Sequence, residues 1–342
     1  MKLNDFKARL KSGELSGCYV FAGEEDYLKR YYLGELRRAV VADETLSAFN
    51  HAVYEGAEVD FGALRDEIMA PPMMSDLRLI EWRYPNLEKM KDKELEALEG
   101  ILSLLDGQGT AVLAFLVNEG DIELGTEKRP GKLVKRFGES MNILAFDKST
   151  DTQLLSWLKK HFDAEGISVS ADTLRALLFR SGHSMSQLAS EVDKLCAYAK
   201  ARGRAEIDER DVAEVASSTP EADTFALSNA ILDRNKRDAF AALEEMKSRR
   251  LDPIMIFGMV AKTYSELASI SAMLADGMRT DAVVSIMKMN EYKLRRYAAA
   301  TKKFTPQKLT AILTELTRVD AGAKYGGVAG YTAIELFVSK CV

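Results

Sequence analysis

Apolar and polar positions change their rhythm along this chain. The run "GCYVFAG" (17–23) is short, apolar and closed by glycine, and it leads into Tyr27, Leu28, Tyr31, Tyr32 and Leu36 at helical spacing. That predicts a strand followed by a helix. "HAVYEGAEV" (51–59), "LRLIEW" (77–82), "AVLAFLV" (111–117) and "NILAF" (142–146) repeat the strand pattern, with helical stretches near 60–69 and 88–105 between several of them. Strands alternating with helices imply a parallel sheet covered on both faces. After Asp147 the strand pattern stops. "STDTQLLSWLKKHF" opens on cap-type residues and carries Leu154, Leu155 and Leu158, and helices are expected at about 171–181, 184–200 and 208–217. "SSTPEAD" (217–223) reads as a linker. Beyond it the pattern is helical throughout: 224–233, 236–249, 253–276, 279–286, 290–303, 306–319 and 330–341. The expected plan is an α/β domain over 1–147, a small helical lid over 148–218 and an all-α bundle over 219–342. No internal repeat or low-complexity tract interrupts it.

Composition narrows the function classes. A chain of 342 residues, 47% hydrophobic and 29% charged, is ordinary for a soluble globular protein. A formal net charge of −5 rules out a globally basic nucleic-acid coat, so any nucleic acid must be met by local patches. Cys18, Cys196 and Cys341 are widely spaced, without a Cys-x-x-Cys pair, which argues against a disulfide frame or a zinc site and fits a reducing, cytoplasmic compartment. The charged start "MKLNDFKARLKSGEL" lacks the apolar segment of a signal peptide, and no run of about 18 apolar residues suggests a membrane span.

The strand-loop-helix at the first strand is the setting of a phosphate loop, G-x-x-x-x-G-K-[ST], whose backbone N–H groups and lysine reach phosphates while its hydroxyl holds a metal. Laid on that template, Gly23 and Lys29 match, but Leu28 replaces the second glycine and Arg30 the hydroxyl residue. Glu24, Glu25 and Asp26 put carboxylates where a triphosphate would lie, and their charge opposes it. "LRLIEWRYP" offers only Glu81 followed by Trp82 where an ATPase of this topology wants Asp-Glu. Gly23 alone could equally be a glycine that ends a strand. His51, His161 and His183 fall in separate segments without metal-ligand spacing, and pairs such as Glu24-Glu25 and Glu244-Glu245 read as solvated faces. No cofactor or metal is expected.

"EIMAPPMMSDLRLI" (67–80) is an unusual turn. Phe61, Leu64 and Ile68 share one helical face, and Pro71 and Pro72 stop that helix, because proline lacks an N–H and restricts the residue before it. Met73 and Met74 either fold back onto the core or stand out as flexible plugs for a partner's apolar pocket. Basic residues gather at Lys128, Arg129, Lys132, Lys135 and Arg136, and again at Lys293, Arg295, Arg296, Lys302 and Lys303. Such runs are usually solvated faces; the functional alternative is salt-dependent phosphate contact. Asp320 and Lys324 have the spacing of a helical ion pair.

"YVFAGEEDYLKR", "MMSDLRLIEW", "GHSMSQLASEVDKLCAYA", "ALSNAILDRNKRDAFAALEEM", "MNEYKLRRYAAATKKFTPQKL" and "VDAGAKYGGVAGYTAIELFV", in this order and at these distances, resemble the delta subunits of bacterial DNA polymerase III clamp loaders. The resemblance runs essentially end to end. It implies an AAA+-like α/β domain with a degenerate P-loop, a helical lid and a helical collar, in a non-catalytic subunit of a DNA-directed DNA polymerase holoenzyme. Such a subunit binds and opens the β sliding clamp, here through Pro72, Met73 and Met74. Its collar meets the tau/gamma and delta-prime subunits, and the assembled loader surrounds primer-template DNA. Two positions depart from the family. Residues 183–187 read His-Ser-Met-Ser-Gln, without the arginine with which an active relative senses a γ-phosphate, and the turn carries methionines where the family usually has aromatic residues or leucine. An active ATPase with a non-standard phosphate loop is a rival from another class. The delta-prime subunit is a third reading, which zinc-ligand cysteines and a Ser-Arg-Cys motif would mark; the chain has neither.

Overall fold

Five runs form one sheet in the computed structural model, which describes residues 1–126, 128–289, 291–302, 305–324 and 330–341. The strands are β1 (Gly17–Ala22), β2 (His51–Glu55), β3 (Arg78–Arg83), β4 (Ala111–Leu116) and β5 (Met141–Ala145). All pair in parallel, in the order β2-β3-β4-β1-β5. Side chains alternate between faces along each strand. Tyr19, Phe21, Leu79, Val112, Ala114 and Leu116 pack on one side against Phe6, Leu33 and Leu36. Cys18, Val20, Ile80, Trp82, Leu113 and Phe115 pack on the other against Leu64, Ile68, Leu98 and Leu102. Helices cover both faces, so β4 is buried along its full length and reads as a continuous apolar run.

The helices of this part are α1 (Leu3–Ser12), α2 (Asp26–Val40), the single turn α3 (Ser47–Asn50), α4 (Phe61–Met69), α5 (Asp92–Gln108) and α6 (Lys132–Phe137). Sequence reading misses α1, although Leu3, Phe6 and Leu10 lie on one helical face and Gly13 closes the helix in the left-handed region. Phe6 is fully buried, edge-on to Tyr19, Phe21 and Tyr32 at 5.6 to 6.2 Å between ring centres. β2 is shorter than the expected 51–59. Gly56, at φ 102°, turns the chain while its carbonyl accepts from the Trp82 indole, and Asp60 then caps α4. α4 ends as expected before the prolines, with Ala70 in an extended conformation.

The chain separates into two compact units, Met1–Ser149 and Thr150–Val342. The second is built of α7 (Asp151–Ala164), α8 (Ala171–Ser181), α9 (Met185–Ala201) and α10 (Glu209–Val215), followed by α11 (Pro220–Leu232), α12 (Lys236–Ser248), α13 (Pro253–Ala275), α14 (Thr280–Met287), α15 (Glu291–Thr301), α16 (Pro306–Lys324) and α17 (Tyr331–Cys341). Thr150 and Gln153 form a capping box at the start of α7. Strand structure does not stop entirely after Asp147: Ser168–Val169 and Glu206–Ile207 make a two-residue parallel pairing. The linker expected at 217–223 is also corrected. Pro220 is a first-turn residue of α11, where its missing N–H has no partner to lose, and Thr219 caps that helix. Ser217 is held rather than loose, its N–H donating to Glu191 and its carbonyl accepting from Ser181. Phe225, Ile231, Leu243, Val260, Tyr264 and Phe337 belong to one core shared by the later helices.

Candidate functional site

The loop after β1 is closed by the protein's own backbone. Gly23 has φ 109°, and a Cβ there would lie 2.3 Å from the Phe146 carbonyl oxygen, so glycine is required by both conformation and space. The same carbonyl accepts from the Glu25 N–H. Lys29, which falls at the lysine position of the phosphate-loop template, points inward and is 1% exposed. Its Nζ donates to the Gly23 carbonyl at 2.7 Å and the Val117 carbonyl at 2.8 Å, and pairs with Asp26 at 2.7 Å. An ammonium has three donors, and all three are occupied. Leu28 packs against the core, while Arg30 is exposed with its guanidinium 5.8 Å from the Tyr84 ring centre. Glu25 and Asp26 stand at the α2 N-terminus, where an anion is otherwise favoured, and burial lifts the Glu25 carboxyl above its usual range.

Glu81, the acidic residue where an ATPase of this topology would carry Asp-Glu, is fully buried. Arg37 grips it through two bonds of 2.6 and 3.0 Å, Arg83 through two of 2.8 and 2.6 Å, and His51 Nε2 lies 3.0 Å from Oε1. Burial acts to raise its pKa, but the bonds from His51, Arg37 and Arg83 outweigh burial and hold the carboxyl at about 2. A carboxylate so surrounded is a structural counter-ion. The His161 ring lies tilted against Trp157 with centres 4.0 Å apart, and His183 pairs with Asp151 at 3.0 Å. Among the described residues no group of acidic, histidine or cysteine side chains is arranged to hold a metal ion.

The turn between α4 and β3 has the opposite character. Met73 is 46% exposed and Met74 86%, so neither is a core residue. Met74 has φ 51°, a left-handed conformation uncommon for a side chain of its kind. Pro72 is half-buried beside them. Asn50, 1% exposed, donates to the Met73 carbonyl at 2.8 Å and accepts the Met73 N–H at 2.7 Å. Sequence reading gives no hint of this residue, because its partner atoms are backbone and 23 positions away. Phe49, next to it, is also exposed.

The first basic cluster lies on a small hairpin, Gly125–Thr126 paired with Arg129–Pro130, and on α6. Lys128, Arg129, Lys132 and Lys135 are exposed, and among the described residues no carboxylate lies within ion-pair distance of them. Arg136 differs, being bonded to Glu99 at 2.7 Å and lying over the Phe137 ring. In the second cluster Lys293 pairs with Glu221 and Glu266, and Arg296 covers the rings of Phe179 and Phe225, so both have structural partners. Arg295 and Lys302 are exposed. Lys303 and the Lys324 side chain lie outside the described residues.

Comparison with known proteins gives consistent matches. A family model described as DNA polymerase III, delta subunit, matches residues 19–146, and a second, for the C-terminal domain of the DNA polymerase III delta subunit, matches 221–341. DNA polymerase III subunit delta of Bacillus subtilis (strain 168) is 21% identical over 332 residues, covering 96% of this chain and 94% of its own length. The probable DNA polymerase III subunit delta of Aquifex aeolicus (strain VF5) is 23% identical over 314 residues, covering 90% and 85%. Among solved structures, the Bacillus subtilis DNA clamp loader delta protein shares the fold, with a TM-score of 0.56, 21% identity and coverage of 99% and 98%.

The Glu81 cluster has a measurable pH signature. Its folded pKa lies below the usual carboxylate value, so its stabilisation is complete above about pH 4.5 and is lost as pH falls towards about 2. The loss is roughly 3 kcal/mol by the pKa difference. In urea titrations, Glu81→Gln should be less stable than the parent at pH 7, with the gap narrowing through that acid window. Parallel curves for the two proteins would remove Glu81 from the ion cluster.

Proposed function

Because the chain belongs to the DNA polymerase III delta subunit family, we propose that it is a non-catalytic clamp-loader subunit that binds and opens the β sliding clamp through Pro72, Met73 and Met74. The observation that carries this reading is the contrast between two ends of one sheet. At the carboxyl ends of β1 and β4, Lys29 is saturated by protein groups. At the amino end of β3, two methionines are held in water on a fixed turn. Leaving Met74 in water has no benefit to the fold, whereas inserted into a partner's apolar pocket it removes that surface from solvent.

Opening then follows from differential binding. A turn that fits beside an interface of the open clamp better than the closed one shifts the clamp towards the open state by that difference in affinity and no more. In this proposal 1–147 is the clamp-binding domain, 148–218 a lid and 219–342 a collar that meets the tau/gamma and delta-prime subunits, and ATP binding in neighbouring subunits governs when the turn is accessible. Lys128, Arg129, Lys132 and Lys135 are the proposed contacts to primer-template phosphates, with Arg136 already engaged by Glu99. No helix among the described residues is long and apolar enough to cross a membrane, and the proposed place of work is the cytoplasm.

Two measurements test the proposal. Calorimetry with Mg-ATP at millimolar concentration should give no saturable heat; saturable binding abolished by Lys29→Ala would restore the ATPase reading. Surface plasmon resonance with purified clamp should show binding weakened on the order of a thousandfold in the Met73→Ala/Met74→Ala protein, since each hot-spot truncation typically costs about 2 kcal/mol or more. The double variant should keep the melting temperature of the parent. Undiminished clamp binding by the folded double variant would rule the turn out.

A further inference from the structure

An exposed turn whose tip side chains touch little has to be ordered by something else. Met74, at 86% exposure and φ 51°, gains almost nothing from packing, and its left-handed backbone is disfavoured for a residue with a Cβ. The ordering comes from beneath. Asn50 is buried, and its amide makes the same two-bond pairing with Met73 that one strand residue makes with another: Nδ2–H to the carbonyl at 2.8 Å, and the N–H to Oδ1 at 2.7 Å. Both polar groups of the Met73 backbone are thereby satisfied one residue before the left-handed position.

Asn50 is itself immobilised from both sides. His51, the next residue, begins β2 and is bonded to the buried Glu81 carboxylate at 3.0 Å. The carbonyl of Phe49, the preceding residue, accepts from Arg78, which also pairs with Glu67 of α4. The turn is therefore tied through one side chain to β2, to β3 and to the helix that precedes it.

We propose that Asn50 is a positioning residue for the methionine turn, fixing Met73 and Met74 in the conformation that the partner accepts before the partner arrives. This inference rests on the clamp-binding reading, and it adds that the turn is pre-organised rather than moulded on contact. A pre-organised segment loses less conformational freedom on binding, so loosening it should weaken association without removing any contacting atom.

Hydrogen exchange and clamp binding, measured on the full chain, test this together. In the parent the Met73 amide should be protected; exchange at the rate of a free peptide would overturn the inference without any variant being made. Asn50→Asp keeps the side-chain volume but replaces the donor with an acceptor facing the Met73 carbonyl, and Asn50→Leu removes both bonds. Each should speed exchange at Met73 while amides in β3 and β4 keep their protection, and should weaken clamp binding by about tenfold or more through the lost pre-organisation. Faster exchange with unchanged clamp affinity, when Met73→Ala/Met74→Ala does weaken binding, would overturn the role of Asn50 and leave the clamp reading standing. If the double methionine variant also binds normally, both fall.

Discussion

A charge taken out of water must be paired inside the protein, and in the sheet unit two such charges are Lys29 and Glu81. Lys29 is paired with Asp26 and donates to two backbone carbonyls at the carboxyl ends of β1 and β4. Glu81 is neutralised by Arg37 and Arg83, with His51 completing its shell. Open parallel sheets ordinarily bind ligands beyond their carboxyl ends. Here Lys29 lies under the loop as an internal cross-tie. The exposed apolar turn stands at the opposite end of the sheet, because it precedes β3 and every strand runs the same way.

The consequence is a domain whose loop after β1 is filled by its own lysine while its proposed work is contact. A buried lysine has three donors to satisfy, and Asp26 together with the two carbonyls supplies the acceptors. Glu81 is the second buried charge, paired by Arg37 and Arg83. Its ion pairs fix β3 against α2, and through His51 they fix the start of β2 beside Asn50. Stability and the proposed partner surface thus share one set of polar contacts.

Much of the fold was legible in the sequence because strands buried on both faces are near-continuous apolar runs, and "AVLAFLV" needs no context to be read. α1 carries its own signal, Leu3, Phe6 and Leu10 on one helical face, but the intervening Asp5, Lys7, Arg9 and Lys11 dilute the apolar pattern. The 217–223 segment misled because its Ser, Thr and Pro suit a helix start as well as a linker. The polar anchors could not be read at all. The Lys29 acceptors at Gly23 and Val117 are backbone atoms, the second of them 88 positions away, and backbone atoms leave no residue-specific signal. The pairing of Asn50 with Met73 is hidden for the same reason. Arg83 and Glu81 are a partial exception, since residues two apart on a strand share a face. Arg136, Lys293 and Arg296 show the converse, charges that look like an open patch in sequence but have carboxylates or aromatic rings as neighbours.

On the proposed reading, Met73 and Met74 leave water when the clamp binds. Methionine thioethers oxidise in proportion to their exposure, so mild peroxide treatment with peptide mass spectrometry reads their burial directly. In the free protein Met74 should oxidise fastest, consistent with its 86% exposure, and Met73 should follow. In the complex with purified clamp both should be protected while the exposed Met255 reacts as before. Equal oxidation of Met73 and Met74 in the free and clamp-bound protein would contradict the claim.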